Sequence, residues 1–291
     1  MSNPLLPHQD RSAFKDSIRF VEGKTGFSAR LIEKDYYCSL VLRELMKTRN
    51  ALVFKGGTLL NKVHAGFYRL SEDLDFTIST DFKTTRGERS KNAKPLKAIV
   101  LALPTNIPGV VLEKSLTGSN ESRQYNATVI YNSVLIEKTD SILIEISQRE
   151  KVHEAVMKAA ATLLQDPYTD APLIPHFDVA CLSKGEAYAE KVRAALTRKE
   201  AAIRDLYDLD HATRNSHIPL DEQGWLALIK EKFQVSGNGQ IQVSLERKAA
   251  FKDQLETDLR PVLRDRDFSI FDFESAWKQL ERIAVMVQRC L

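Results

Sequence analysis

The sequence predicts a mixed α/β protein of the α+β class, with a central sheet of about five strands in its N-terminal half and helices in its C-terminal half. Short apolar or alternating runs fall between residues 51 and 146, while stretches with an apolar residue every three or four positions lie before and after them. The pattern changes at Asp166-Pro167 and Pro172-Leu173-Ile174-Pro175, which sets a boundary near residue 170 and gives domains of 1–170 and 171–291. With 291 residues, 43% hydrophobic and 28% charged, the chain has enough apolar content for two cores and is not compositionally disordered.

Residues 10–48 are expected to be helical. Phe14, Ile18 and Val21 form one stripe, Gly23 and Gly26 break it, and a second runs from Leu31-Ile32 through Tyr36, Leu40 and Leu45. Ala51-Leu52-Val53-Phe54 reads as a buried strand, Gly56-Gly57 as a tight turn, and Thr58 as the start of a helix. Leu74–Ile78 is the next strand. Lys83–Lys97, with six basic residues and one acid, reads either as a solvated loop or as a contact for a phosphate backbone. Strand character returns at 110–112, 127–131 and 142–146. Beyond the prolines, amphipathic helices are expected at about 183–198, 200–213, 221–233, 244–259 and 273–289. Trp225, Leu228 and Phe233 would share one core face and Trp277, Leu280 and Ile283 another.

The chemistry concentrates in Lys55-Gly56-Gly57-Thr58 and Arg69-Leu70-Ser71-Glu72-Asp73-Leu74-Asp75-Phe76. Glycines let backbone approach a ligand with no Cβ in the way, and unpaired amides at a helix start suit phosphate. Alternation along the strand puts Asp73 and Asp75 on one face and Leu74, Phe76 and Ile78 on the other. Two carboxylates that close repel unless a cation or a proton lies between them. Mg²⁺ fits, since it prefers oxygen and is bound by one or two carboxylates together with substrate phosphates. Glu145 projects from the opposite face to Ile142, Ile144 and Ile146 and is either a third ligand or one half of a salt bridge. Further on, Lys191 and Arg198 lie seven apart on one helix face, ahead of Arg204-Asp205-Leu206-Tyr207-Asp208. That helix is either a solvated amphipathic surface or a source of positive charge for a triphosphate.

Other classes are excluded or lack support. The formal net charge of +3 decides nothing about nucleic acid. The N-terminus lacks the basic start and apolar core of a signal peptide, and no run of about 18 apolar residues suggests a membrane span. Cys38, Cys181 and Cys290 are isolated, as in a reduced cytoplasmic protein, and the histidines share no metal-ligand spacing. There is no P-loop, no dinucleotide-binding glycine fingerprint and no nucleophile elbow.

Four features together resemble the AbiEii-type (MenT-like) nucleotidyltransferase toxins of the DNA polymerase β-like superfamily. They are Glu33-Lys34-Asp35-Tyr36, the glycine-to-aspartate block, Ile144-Glu145-Ile146, and Lys191 with Arg204-Asp205-Leu206-Tyr207-Asp208-Leu209, together spanning about residues 30–210. The resemblance implies a polymerase β-like domain with a mixed sheet, completed into a cleft by the helical domain. It implies Mg²⁺ or Mn²⁺ at Asp73 and Asp75, with Glu145 as third ligand, and a nucleoside triphosphate as substrate. Lys55, Gly56, Gly57, Thr58, Lys62, Arg69, Ser71 and Arg198 would bind the nucleotide, and Lys191, Asp205 and Asp208 would join the two aspartates in catalysis. The implied reaction is in-line attack of a tRNA 3′-hydroxyl on the α-phosphorus, which blocks translation within a toxin–antitoxin or abortive-infection system. A cognate antitoxin is the implied partner, and no membrane is involved. The alternatives are nucleotidylation of a protein such as the antitoxin, and a non-catalytic nucleotide-binding protein.

Overall fold

Asp10 starts the first helix, α1 (Arg11–Thr25), because its carboxylate accepts from the amides of Ser12 and Ala13, and Gly26 ends it at φ +79°. Helix α2 (Ala29–Met46) follows. It is buried almost throughout, including the consecutive charges Glu33, Lys34 and Asp35, and each of these has a partner. Glu33 accepts from Ser133 Oγ and Val134 N, Lys34 pairs with Glu72 and Asp140, and Asp35 pairs with Lys62. Unpaired, any of the three would be strongly destabilising. The computed structural model describes residues 5–47, 51–136, 138–215, 218, 223–235 and 237–290. The chain divides into two units, Met1–Cys181 and Leu182–Leu291.

In the first unit, β1 (Leu52–Lys55) leads into α3 (Gly56–Leu59) and a π-helical turn, Leu60–His64, before β2 (Leu74–Ile78). Helix α4 (Arg86–Asn106) precedes a meander of β3 (Val110–Ser119), β4 (Gln124–Asn132) and β5 (Thr139–Ser147). Strands β6 (Ala155–Ala160) and β7 (Phe177–Leu182) complete the sheet in the order β3-β4-β5-β2-β1-β7-β6. The sheet is mixed: β2 runs parallel to β5 and antiparallel to β1, and β1 runs parallel to β7.

The sheet has seven strands, not about five. In β6, Ala-Val-Met-Lys-Ala-Ala shows no alternation and is largely exposed, so no apolar period marks it. Strand β7 begins beyond Pro175 and was read as part of the helical half; it pairs with β1 through Phe54 and Cys181 and extends the first unit past residue 170.

The basic run Lys83–Lys97 is mostly helix α4 rather than loop. Thr85 caps it by accepting from Glu88 N, while Glu88 accepts from Thr85 N, a reciprocal pair that outweighs the breakers Gly87 and Pro95. Pro95 sits on the exposed side, where the Lys91 carbonyl it leaves unbonded can take water. Helix α3 starts at Gly56, two residues ahead of the expected Thr58.

The second unit contains α5 (Lys184–Thr197), α6 (Ile203–Arg214), α7 (Gln223–Phe233), α8 (Leu245–Asp253), α9 (Asp265–Ser269) and α10 (Phe273–Cys290). Trp277, Leu280 and Ile283 are buried together in α10. In α7 the buried face is Trp225, Ile229 and Lys232, with Leu228 and Phe233 only half-buried. Lys232 displaces the apolar reading because it meets Glu186 at 2.6 Å and Glu190 at 3.3 Å. Among the described residues no helix is long and apolar enough to cross a membrane.

Candidate active site

Strand register builds the first half of the site. Lys55 pairs with Asp75, Asp75 with Glu145, and Glu145 with Asn126, so four polar side chains form one row on one face of the sheet. The rows on either side, Leu74-Ile144-Ala127 and Phe76-Ile146-Tyr125, are buried on the opposite face.

The glycines face this row. Gly56 has φ +78°, and a Cβ there would overlap the Asp75 carboxylate and lie 2.9 Å from Asp75 Cβ. A Cβ on Gly57 would overlap the Arg69 guanidinium and sit 3.1 Å from Ser71 Oγ. Gly56→Ala is therefore expected to fold with strain and displace Asp75, with transfer falling about 100-fold, as for a catalytic group misplaced by about an ångström. Single-turnover rates alongside melting curves would separate displacement from unfolding.

Asp73 precedes β2 and accepts from Leu143 N at 3.3 Å. Burial pushes its carboxyl above the usual carboxylate range. Lys34 and the Leu143 amide oppose that shift, while Glu72 and Glu145 add to it. Such a carboxylate gains from a nearby cation. Arg30 and Lys34 bridge Glu72 and Asp140 at 3.0–3.3 Å. This cluster was not read from the sequence, although Lys34 and Glu72 lie inside the quoted motifs.

Other expected nucleotide-binding residues are engaged within the protein. Thr58 is buried, and its hydroxyl donates to the Asp73 carbonyl at 2.5 Å, which ties the glycine turn to the aspartate strand. Lys62 is buried, with Nζ 2.6 Å from Asp35 Oδ1 and 2.8 Å from Ser39 Oγ. Arg69 is 2% exposed and donates from Nη1 to the Leu70 carbonyl. Lys55 and Ser71 are half-buried.

The in-register carboxylates of Asp75 and Glu145 suit a hard cation, and beside Glu145 the Oδ1 of Asn126 is buried with no hydrogen-bond donor. Among the described residues, no group of three or more His, Cys, Asp or Glu side chains is already converged into a metal cage.

In the second unit, Lys191 Nζ lies 2.7 Å from Asp205 Oδ1 and 2.8 Å from Asp208 Oδ2, and Arg198 meets Asp205 Oδ2 at 3.3 Å. Lys191 of α5 and Arg198, which follows the helix, thus meet one carboxylate near the start of α6. Asp205 and Asp208 are buried, while Arg198 is largely exposed.

A mixed sheet with paired acids on its polar face, beside a glycine turn, is an arrangement suited to nucleotidyl transfer. The chain belongs to the AbiEii family, described as "Nucleotidyl transferase AbiEii toxin, Type IV TA system", whose model matches residues 41–280. Among solved structures, JHP933 from Helicobacter pylori has a TM-score of 0.53 at 16% identity, over 90% of this chain and 94% of that one. A second H. pylori crystal structure, of a protein assigned to the nucleotidyltransferases, also has a TM-score of 0.53 at 16% identity, over 90% of this chain and 96% of the other. At that identity these two show the fold alone. No curated protein matches the chain.

Proposed function

We propose that this transferase is a cytoplasmic toxin that uses a nucleoside triphosphate to add nucleotides to the 3′ end of tRNA and is countered by a cognate antitoxin. The observation that carries the reading is the in-register pair Asp75–Glu145, with the Asp75 carboxylate packed directly against the glycine turn at Gly56. Asp73, Asp75 and Glu145 would hold Mg²⁺ or Mn²⁺. When bound, the ion supplies charge neutralisation on phosphate oxygens and acidifies the attacking hydroxyl.

The chain's own residues do the rest. Gly56 lets the Asp75 carboxylate lie against the turn, Lys55 offers positive charge at the edge of the acidic row, and Arg69 with Ser71 packs against Gly57 and stiffens the turn. Thr58 keeps that turn in register with Asp73. Lys191, oriented by Asp205 and Asp208, would neutralise charge as pyrophosphate leaves, with Arg198 beside it.

The test is incubation of the full chain with Mg²⁺, each labelled nucleoside triphosphate in turn, total RNA and the antitoxin. The expected label is on tRNA, with sequencing locating the addition at the 3′ end. Label on the protein band with an unchanged tRNA pool would sink the RNA reading and establish the protein-acceptor one.

A further inference from the structure

Glu145 is held from its side by a two-step relay. Gln124 lies two residues before Asn126 in β4, and therefore on the same face, diagonally across from Glu145. Its Nε2 donates to Glu145 Oε1 at 2.8 Å, and Arg149 Nη2 donates to Gln124 Oε1 at 3.0 Å. Chemistry fixes the direction of the amide. A guanidinium can only donate, so the Gln124 atom that faces it is oxygen, and the nitrogen is left for a carboxylate that can only accept. Swapping the two ends of the amide would break both bonds.

The relay restrains Glu145 at a torsion that is soft in a free glutamate. It occupies Oε1 from one flank and keeps the carboxylate in the row with Asp75. On the neighbouring strand, the buried Asn126 Oδ1 still lacks a donor, so the polar demand of the row is met on the Gln124 side and open at Asn126.

Building on the reading of Glu145 as a cation ligand, we propose that Gln124 is a positioning residue for the metal. It selects which Glu145 oxygen remains for the ion, and Arg149 holds Gln124 in turn. Hydrogen-bond partners of ligating carboxylates commonly change metal affinity by about 10–100-fold.

The test is direct Mn²⁺ binding to the full chain, followed by electron paramagnetic resonance with a non-hydrolysable nucleotide analogue present, for wild type, Gln124→Leu, Gln124→Glu, Arg149→Gln, Glu145→Gln and Asp75→Asn. Melting temperatures check that each variant folds. Gln124→Leu is expected to weaken Mn²⁺ about tenfold, Arg149→Gln less, and Gln124→Glu less than Gln124→Leu, because its added negative charge favours a nearby cation while the donor is lost. In the transfer assay, excess Mg²⁺ should restore the Gln124→Leu rate, which a merely structural role would not allow. Wild-type Mn²⁺ affinity in Gln124→Leu, with Glu145→Gln weakened, would overturn the proposal. If Glu145→Gln also binds normally while Asp75→Asn does not, the proposal falls with Glu145's role and the transferase reading stands. Failure of the wild type to bind Mn²⁺ under these conditions would remove both.

Discussion

Asp73→Ala and Asp75→Ala, and the closer isostere Asp75→Asn, are each expected to lower nucleotidyl transfer by at least about 10³-fold, roughly 4 kcal/mol of transition-state stabilisation, and to end growth inhibition on expression. Asp75→Asn is the cleanest of the three. The amide keeps the shape that fits under Gly56 and the pairing of β2 with β1 and β5, so the fold should survive and only the charge is lost. Asp73→Ala also removes the acceptor for Leu143 N, so part of its effect will appear as reduced stability. Quench-flow rates at saturating metal, with melting curves as control, measure both. A folded Asp75→Asn protein with wild-type turnover would rule out the acidic row as the reaction centre.

Lys62→Met is expected to lose stability by about 3–5 kcal/mol, because it leaves the Asp35 carboxylate buried without its counter-ion. The Lys62 side chain is fully buried and Asp35 is 4% exposed, and Asp35 Oδ2 already has no hydrogen-bond partner. For a chain of this size that loss would lower the melting temperature by roughly 10 °C. Restoring neutrality with Asp35→Leu alongside Lys62→Met should recover most of it, since an ion pair replaced by apolar side chains costs far less than one left half-broken. The pair of variants also separates two roles for Lys62. A Lys62→Met protein that melts like wild type but binds nucleoside triphosphate poorly would return this lysine to the nucleotide site that the sequence suggested.

What could be read in advance followed from local signals. Leu74–Ile78 announced its strand and its polar face because apolar residues alternate with Asp75 and Thr77, and Gly56 marked a close approach because only glycine tolerates that φ. The shared side of Lys191 and Arg198 was legible in their spacing, while their common partner Asp205 is set by the contact of α5 with α6. What escaped was set by tertiary contact. The alanine-rich β6 carries no periodic signal, and β7 is a strand because β1 offers it an edge. The partners of Lys34 and Lys62 sit 27 to 106 residues away, so no window along the chain could tell a buried ion pair from a phosphate ligand. Gln124 was invisible for the same reason: its role depends on the register of β4 against β5.

That register also bears on when the protein can act. Asp75 and Glu145 meet only through parallel pairing of strands about seventy residues apart, and β1, which carries the glycine turn, gains its second neighbour only when β7 arrives. Pairings this distant form late, because loop-closure entropy must be overcome before they contribute. A ribosome-bound chain that has emerged only as far as α4 therefore holds its aspartates without their glutamate. On the proposed role of Glu145, the acidic row is complete only once β5 has paired with β2, so transfer is expected to await about half of the chain.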